Sequence, residues 1–139
     1  MADEVFDILR NRYVACTPEE VVRQNFIHCL IDTKGYPQPL LANETEIKAG
    51  NKKMRCDSVV YKHDAADGLL KPVMIIEYKS PQTTLSQRVF DQILDYNSIM
   101  KVPYLTICNG ESFMVCHITA SGYEFLDKIP DYDLLNFNS

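Results

Sequence analysis

Residues 73–81 read Val73-Met74-Ile75-Ile76-Glu77-Tyr78-Lys79-Ser80-Pro81, an apolar run that ends in charged residues. The β-branched residues, just after Pro72, predict a buried strand. Glu77 and Lys79 are two positions apart near its end, so strand geometry puts both side chains on one face and Tyr78 on the other. An acid and a base on one face of a mostly buried strand indicate a site rather than a solvated edge.

A second strand is predicted at residues 54–61, MRCDSVVY, where Asp57 precedes Glu77 by 20 residues. Aspartate is depleted in strands because it is poorly solvated there and competes for backbone hydrogen bonds. Two neighbouring strands can bring these carboxylates together, and like charges at that distance repel unless a cation lies between them. Carboxylate oxygens suit Mg²⁺ or Mn²⁺, so we expect a divalent-cation site.

These residues carry a family resemblance. Asp57 followed by Glu77-Tyr78-Lys79 is similar to the D…(D/E)xK signature of the PD-(D/E)xK nuclease superfamily, whose core is the restriction-endonuclease-like fold. More closely, the chain resembles the N-terminal nuclease-like domain of type I restriction enzyme R subunits, which includes short stand-alone versions. The resemblance spans roughly residues 13 to 132 and rests on these stretches in order: TPEEVVRQNFIHCLI, GYPQPLLANETEI, MRCDSVVY, IIEYKSP, VFDQILDYN, VPYLTICNG and GYEFLDKIPDY.

The resemblance implies a Mg²⁺-dependent DNA endonuclease, with Mn²⁺ as an alternative ion, and we favour an enzyme on that ground. Asp57 and Glu77 would hold the cation, and Lys79 would orient or deprotonate the attacking water. Glu20 in the first helix and Glu44 in the first strand are expected as further metal ligands, Glu20 also as part of the catalytic set. Helix capping by Glu20 and simple solvation of Glu44 are the ordinary alternatives.

Further site residues are expected on the two helices. Gln92 and Tyr96 form a Q-x-x-x-Y motif, one turn apart on a helix predicted at about residues 84–100. Some nucleases of the superfamily carry this motif on the helix after the ExK strand, where it lines the site and contacts DNA or the catalytic lysine. We therefore expect Gln92 in the catalytic set and Tyr96 among the substrate-binding residues. The alternative is a core tyrosine beside an exposed glutamine. Arg23 and Gln24 match the family stretch and either contact phosphate or solvate the first helix.

The formal net charge of −5 limits the prediction of DNA binding. Nucleic-acid binders are usually basic, so we expect weak binding by this chain alone, with affinity supplied by motor or specificity subunits of a restriction system. A nuclease fold kept as a non-catalytic DNA- or protein-binding module is therefore the alternative function. The chain also contains a basic run made of Lys48, Lys52, Lys53, Arg55 and Lys62. This run could face phosphate, with Lys53 and Arg55 as the substrate-binding candidates, or it could be a solvated hairpin.

The order of predicted elements gives the fold class. Thr17-Pro18-Glu19-Glu20 has capping-box spacing and begins a helix over residues 18–33, which Gly35 ends. A hairpin, the Glu77 strand, the second helix and further strands follow, in αβββαβ order. This order predicts an α/β (α+β), three-layer domain with a central mixed sheet flanked by helices, as in the restriction-endonuclease-like core. The second helix makes a crossover, so the strand at 104–108 lies parallel to the Glu77 strand.

One domain is expected over residues 1–139, with residues 1–16 as an N-terminal arm or short helix and 130–139 as a tail. Strands at 43–48 and 112–117, and an edge strand at 123–126, complete the predicted sheet. The acidic N-terminus and the lack of a long apolar run favour a cytoplasmic protein without a membrane partner. Five cysteines without C-x-x-C spacing favour reduced, mostly buried thiols. The oligomeric state stays open, with a dimer as one possibility.

Overall fold

The computed structural model describes residues 3–137, with the side chains of residues 96–99 outside that description. A six-stranded mixed sheet lies between two helices, so the predicted three-layer α/β (α+β) class and its αβββαβ order are confirmed. The helices are α1 (Pro18–Lys34) and α2 (Gln87–Met100). The strands are β1 (Glu4–Asp7), β2 (Arg12–Ala15), β3 (Leu41–Ala49), β4 (Lys52–His63), β5 (Leu70–Tyr78), β6 (Tyr104–Cys108), β7 (Phe113–Thr119) and β8 (Gly122–Leu126).

The strands of the main sheet follow the order β3-β4-β5-β6-β7-β8. The β5–β6 pair is parallel, as the crossover through α2 predicts, and the other pairs are antiparallel. The β6–β7 turn contains Asn109-Gly110, and Gly110 has a φ of 92°. A Cβ at Gly110 would lie 3.2 Å from a methyl carbon of Val22, so glycine lets this turn approach α1 closely.

Successive side chains of the sheet strands pack alternately in two hydrophobic cores, one on each face of the sheet. Met74, Ile76 and Tyr78 of β5 pack in the core that contains Ile27 and Leu30 of α1. Their neighbours Ile75 of β5 and Leu105 of β6 pack in the second core, which contains Phe90 of α2. Strand period two therefore gives each face of the sheet its own helix. Glu77 and Lys79 continue the Ile75 register at the end of β5.

The N-terminal residues form a β-hairpin and not the expected arm or short helix. β1 pairs with β2 in register from Glu4 opposite Ala15 to Asp7 opposite Arg12. The Asp7 carboxylate accepts hydrogen bonds from the backbone N–H groups of the turn, and Asn11 has a φ of 53°. An aspartate that starts a turn and an asparagine with positive φ are signals for a hairpin.

The C-terminal segment is anchored to the sheet. The Tyr132 hydroxyl donates to the Tyr61 carbonyl at 2.8 Å, and Nζ of Lys62 donates to the carbonyls of Tyr132 and Leu135. Lys62 thus holds this segment in place, and its predicted membership of a phosphate-facing run is wrong. Within residues 3–137, neither helix has the length and apolar character needed to cross a membrane.

Candidate functional site

Asp57 and Glu77 meet where β4 and β5 run side by side. The β4–β5 register pairs Ser58 with Ile76, which puts Asp57 and Glu77 opposite each other at the next position. Oδ2 of Asp57 accepts a hydrogen bond from the Tyr78 backbone N–H at 2.9 Å. Burial raises the pKa of Glu77 to about 8, and the charge and hydrogen bonding of Asp57 add to that rise. The two carboxyl groups are close enough to compete for the same proton.

Lys79 directly follows β5, on the same face of the sheet as Glu77. Its backbone N–H donates to the Cys108 carbonyl at 2.9 Å, which holds the residue against the end of β6. Its positive charge lowers the pKa of Glu77, although burial and Asp57 outweigh it. In the part of the chain that the structure describes, the half-buried ammonium forms no ion pair within 4.0 Å. It remains available to an anionic ligand.

A cavity of about 260 Å³ lies between Glu77 and α2. Its lining comprises Met54, Arg55, Glu77, Gln92 and Ile93. Gln92 and Arg55 therefore line the same cavity as Glu77. Lys53 is exposed on the hairpin and does not line this cavity. Tyr96 belongs to α2, but its side chain falls outside the described residues.

Glu20 is the centre of a buried ionic group, here called the Glu20 cluster: Arg10, Glu20, Arg23 and Gln24. The Glu20 carboxylate accepts hydrogen bonds from Nε and Nη2 of Arg23, from Nε2 of Gln24 and from Nη2 of Arg10. Burial raises the pKa of Glu20, but these donors outweigh it and hold the pKa below its ordinary value. Thr17 caps α1 as predicted, by accepting from the Glu20 N–H. The reciprocal bond of a capping box is absent from the described residues, because the Glu20 carboxylate binds arginines instead.

Arg23 connects the Glu20 cluster to the carboxylate pair. Its Nη1 donates to the backbone carbonyl of Asp57 at 2.9 Å and lies 3.7 Å from the Glu44 carboxylate. Only 6% of Arg23 and 4% of Gln24 is exposed. These side chains therefore do not solvate the helix, which was one of the two alternatives for them, and the other, contact with phosphate, stays a prediction. Arg23 instead fixes the strand that carries Asp57.

A chain of buried polar residues, which the sequence did not single out, runs beside Asp57. The Tyr78 hydroxyl donates to Ser58 at 2.9 Å, Ser58 donates to Asn43, and the Asn43 amide donates to Asp7. Burial raises the pKa of Asp7, but hydrogen bonds from Arg10, Asn43 and the backbone lower it to about 2. The available signal was the facing pair of polar residues in two predicted strands, Asn43 and Ser58.

The four predicted metal ligands do not assemble into one set. Within residues 3–137, no group of three or more His, Cys, Asp or Glu side chains is arranged to hold a metal ion. The oxygens of Glu20 are occupied by arginine and glutamine donors. Glu44 has a positive φ of 51° and a side chain that is 33% exposed beside Arg23. The structure brings together Asp57 and Glu77 and leaves Glu20 and Glu44 outside their pair.

A larger cavity of about 620 Å³ opens on the other side of Asp57. It is bounded by the β1–β2 hairpin, the start of α1 and the sheet. Its lining residues are Glu4, Arg10, Arg12, Tyr13, Val14, Ala15, Thr17, Glu19, Glu20, Arg23, Glu44, Asp57 and Tyr78. Asp57 thus borders this cavity, while its partner Glu77 borders the smaller one.

A comparison with protein families shows which family the chain belongs to. The family model described as type I restriction enzyme R protein N terminus matches residues 18–130. This chain belongs to that family. No match was found among curated proteins or among solved structures. The matched range contains Asp57, Glu77 and Lys79 and begins after the β1–β2 hairpin.

Proposed function

We propose that this domain is a divalent-cation-dependent DNA endonuclease of the PD-(D/E)xK type. The observation that carries the proposal is the meeting of Asp57 and Glu77 beside the ammonium of Lys79, which forms no ion pair with any residue that the structure describes. Membership of a restriction-enzyme family supports DNA as the substrate. Phosphodiester hydrolysis needs charge stabilisation and an activated water, and this group of residues suits both.

Mg²⁺ or Mn²⁺ fits the carboxylate pair. Two carboxyl groups in contact, with the pKa of Glu77 raised to about 8, indicate that the surrounding protein groups do not offset a second negative charge there. Hard oxygen ligands of this kind suit either ion, with water and substrate in the remaining positions. A cation bound there would neutralise the pair, activate a water and stabilise charge on the phosphate. Glu20 and Glu44 are not part of the ligand set that we propose.

The protein's own groups have distinct roles around the phosphate. Nζ of Lys79 would donate to the oxygen that gains charge as water attacks. Gln92, across the small cavity from Glu77, would hold the water or a substrate oxygen by its amide. Arg55 borders the same cavity and is exposed, so its guanidinium would bind the phosphate backbone. Arg23 would act indirectly, by holding the Asp57 backbone.

The domain would work in the cytoplasm with partners that supply DNA affinity. The net charge of −5 opposes tight binding to a polyanion by this chain alone. A family defined by restriction-enzyme R proteins supports motor and specificity subunits of a restriction system as those partners. The same charge, together with the convergence of no more than two carboxylates among residues 3–137, favours a second candidate, a DNA- or protein-binding module without turnover.

A cleavage assay separates the two candidates. Plasmid and single-stranded DNA are incubated with the chain and Mg²⁺ or Mn²⁺, and wild type is compared with Lys79→Ala. Lys128→Ala removes the same charge at an exposed position and serves as the matched control. Cleavage by wild type and Lys128→Ala, with a loss of about 10²–10⁴-fold in Lys79→Ala, supports the nuclease. No cleavage at high protein concentration rejects it and favours the module.

A further inference from the structure

The segment of β4 that carries Asp57 is held at three points. Nη1 of Arg23 donates to the Asp57 carbonyl at 2.9 Å, and the Tyr78 N–H donates to Oδ2 of the Asp57 carboxylate at 2.9 Å. The third point is the next residue, Ser58, whose hydroxyl accepts from the Tyr78 hydroxyl at 2.9 Å and donates to the Asn43 amide oxygen at 2.6 Å. Hydrogen bonds therefore fix the backbone, the carboxylate and the following side chain.

The first anchor leads through α1 to the turn of the β1–β2 hairpin, a connection here called the helix route. The guanidinium of Arg23 binds the Glu20 carboxylate, which also accepts a hydrogen bond from Nη2 of Arg10 at 3.2 Å. Arg10 lies in the hairpin turn and is paired with Asp7 at the end of β1. Asp7 is fully buried and only 7% of Glu20 is exposed. Buried charges thus connect the hairpin turn to the Asp57 carbonyl.

The Ser58 anchor leads through the sheet to the same turn, a connection here called the sheet route. The Asn43 amide, which accepts from Ser58, donates to both carboxylate oxygens of Asp7 at 3.1 Å. Burial raises the pKa of Asp7, but hydrogen bonds from Arg10 and Asn43 lower it to about 2, so Asp7 stays charged at neutral pH. Every donor from the Tyr78 hydroxyl onward points towards this carboxylate, so its charge fixes the orientation of the chain.

We propose that the turn of the β1–β2 hairpin is a positioning element for the cation ligand Asp57. Asp7 and Arg10 act through the helix route and the sheet route, by fixing the place of the Asp57 carboxylate beside Glu77. The hairpin precedes the family-matched residues 18–130, so the matched part of the chain does not supply this support by itself. The role of Asp57 as a cation ligand rests on the proposed function.

Groups that hold a metal ligand in place change metal affinity without touching the metal. Loss of such a partner typically lowers the affinity about 10–100-fold, because the freed ligand must be ordered when the metal binds. The positive charge of Arg10 makes the expected result specific. Its removal would by itself strengthen cation binding, since like charges repel. Weaker binding after loss of Arg10 would therefore have to come from displacement of Asp57.

Calorimetric titration of Mn²⁺ into the full chain at neutral pH measures this affinity. Arg10→Met interrupts the helix route, Ser58→Ala interrupts the sheet route, and each is expected to weaken Mn²⁺ binding about ten-fold or more. Arg10→Lys keeps a positive charge between the carboxylates of Asp7 and Glu20, so it is expected to restore part of the affinity. Thermal unfolding first identifies a temperature at which every variant is folded.

Matched controls separate positioning from a general loss of stability. Lys62→Met also removes one positive charge, together with the hydrogen bonds that anchor the C-terminal segment. Tyr36→Phe removes a buried hydroxyl that donates to the Pro130 carbonyl at 2.8 Å. Neither side chain belongs to the helix route or the sheet route. Both variants should therefore lose stability and still bind Mn²⁺ as wild type does.

The Tyr78 amide reports the position of the Asp57 carboxylate in the absence of a cation. Because its N–H donates to Asp57, heteronuclear NMR spectra should show an upfield shift of this proton in Arg10→Met and Ser58→Ala. The proton should stay in place in both controls. Wild-type Mn²⁺ affinity in Arg10→Met and Ser58→Ala, or an unchanged Tyr78 amide in both, would overturn the proposal.

Cation binding and DNA cleavage together show which of the two proposals has failed. Mn²⁺ binding that depends on Arg10 and Ser58, without cleavage of DNA, would reject the nuclease and retain the positioning role. Cleavage by wild type with unchanged Mn²⁺ affinity in both variants would reject the positioning role alone. A wild-type chain that binds no Mn²⁺ would reject the cation site and, with it, both proposals.

Discussion

The Glu20 cluster and the Asp57–Glu77 carboxylate pair are in contact, and the protein neutralises their negative charges to very different degrees. In the Glu20 cluster, one buried carboxylate receives donors from two arginines and a glutamine. In the carboxylate pair, two acids face each other, and the pKa of Glu77 is raised to about 8. Arg23 touches both, since it binds the Glu20 carboxylate and the Asp57 carbonyl.

This difference in neutralisation indicates that the Glu20 cluster has a structural role and that the Asp57–Glu77 pair is the candidate reactive group. A buried carboxylate with its full set of donors stabilises one arrangement of the chain and leaves no lone pair for a ligand. A pair of acids whose charges the neighbouring lysine does not offset costs folding free energy when both ionise, and such pairs are typical of functional sites. Burial from solvent does not by itself separate a structural glutamate from a reactive one, because Glu20 is less exposed than Glu77.

The largest expected effect lies in the Glu20 cluster. Arg23→Ala leaves Glu20 buried with fewer donors and releases the Asp57 carbonyl, so we expect a loss of about 3–5 kcal/mol in the free energy of unfolding. Urea unfolding measures it. Arg88→Ala, at an exposed position of α2, is the control and should change stability by less than about 0.5 kcal/mol. A loss below about 1 kcal/mol for Arg23→Ala would mean that the cluster is not structural.

An effect of comparable size is expected from the carboxylate pair, through the pH dependence of the free energy of unfolding. The folded state holds the Glu77 proton up to about pH 8, whereas the ordinary pKa is 4.5. Between these values the native chain binds more protons than the unfolded chain, so stability falls as pH rises, by on the order of a few kcal/mol. Unfolding without divalent cation, across that range, measures the fall. Glu77→Gln should remove it; a flat wild-type profile would contradict the raised pKa.

Asp7 should show the opposite pH dependence, with a smaller amplitude. Its pKa is lowered from 3.8 to about 2, so the unfolded chain binds more protons in that interval. Its contribution is complete above about pH 4 and is lost as pH falls through about 2, an effect of roughly 2 kcal/mol. Acid unfolding of Asp7→Asn should lack this component, and Asp127→Asn, at an exposed position, should retain it. Identical acid profiles for Asp7→Asn and wild type would exclude Asp7 as the source.

Much of the fold followed from local patterns in the sequence. The apolar run into Glu77, the helical spacing after Thr17 and the Asn109-Gly110 turn each specify one element, and all three lie where they were predicted. The parallel pairing of β5 with β6 followed from the intervening helix. The facing of Asp57 and Glu77 followed from strand period and from pairing of adjacent strands.

The rest depended on contacts between distant parts of the chain. Val5, Ile8 and Leu9 have helix-like spacing, so the hairpin was missed although Asp7 and Asn11 signal a turn. The capping-box spacing accounted for Glu20 without Arg10, which reaches it only because the hairpin folds back. Spacing within one helix could suggest the Glu20–Arg23 pair, but not its burial. The metal-ligand set predicted from the sequence therefore included Glu20 and Glu44. In the structure, the Glu20 carboxylate binds arginine and glutamine donors, and Glu44 lies outside the Asp57–Glu77 pair.

Calorimetric titration of Mn²⁺ and Mg²⁺ into the chain tests the central claim most directly. At about pH 7, wild type should bind one cation and release a proton, because Glu77 must ionise to become a ligand. Glu77→Gln should lose this binding, while Glu44→Gln should keep it, since Glu44 lies outside the pair. Equal binding by Glu77→Gln and wild type, or a loss of binding in Glu44→Gln, would contradict a cation site made by Asp57 and Glu77.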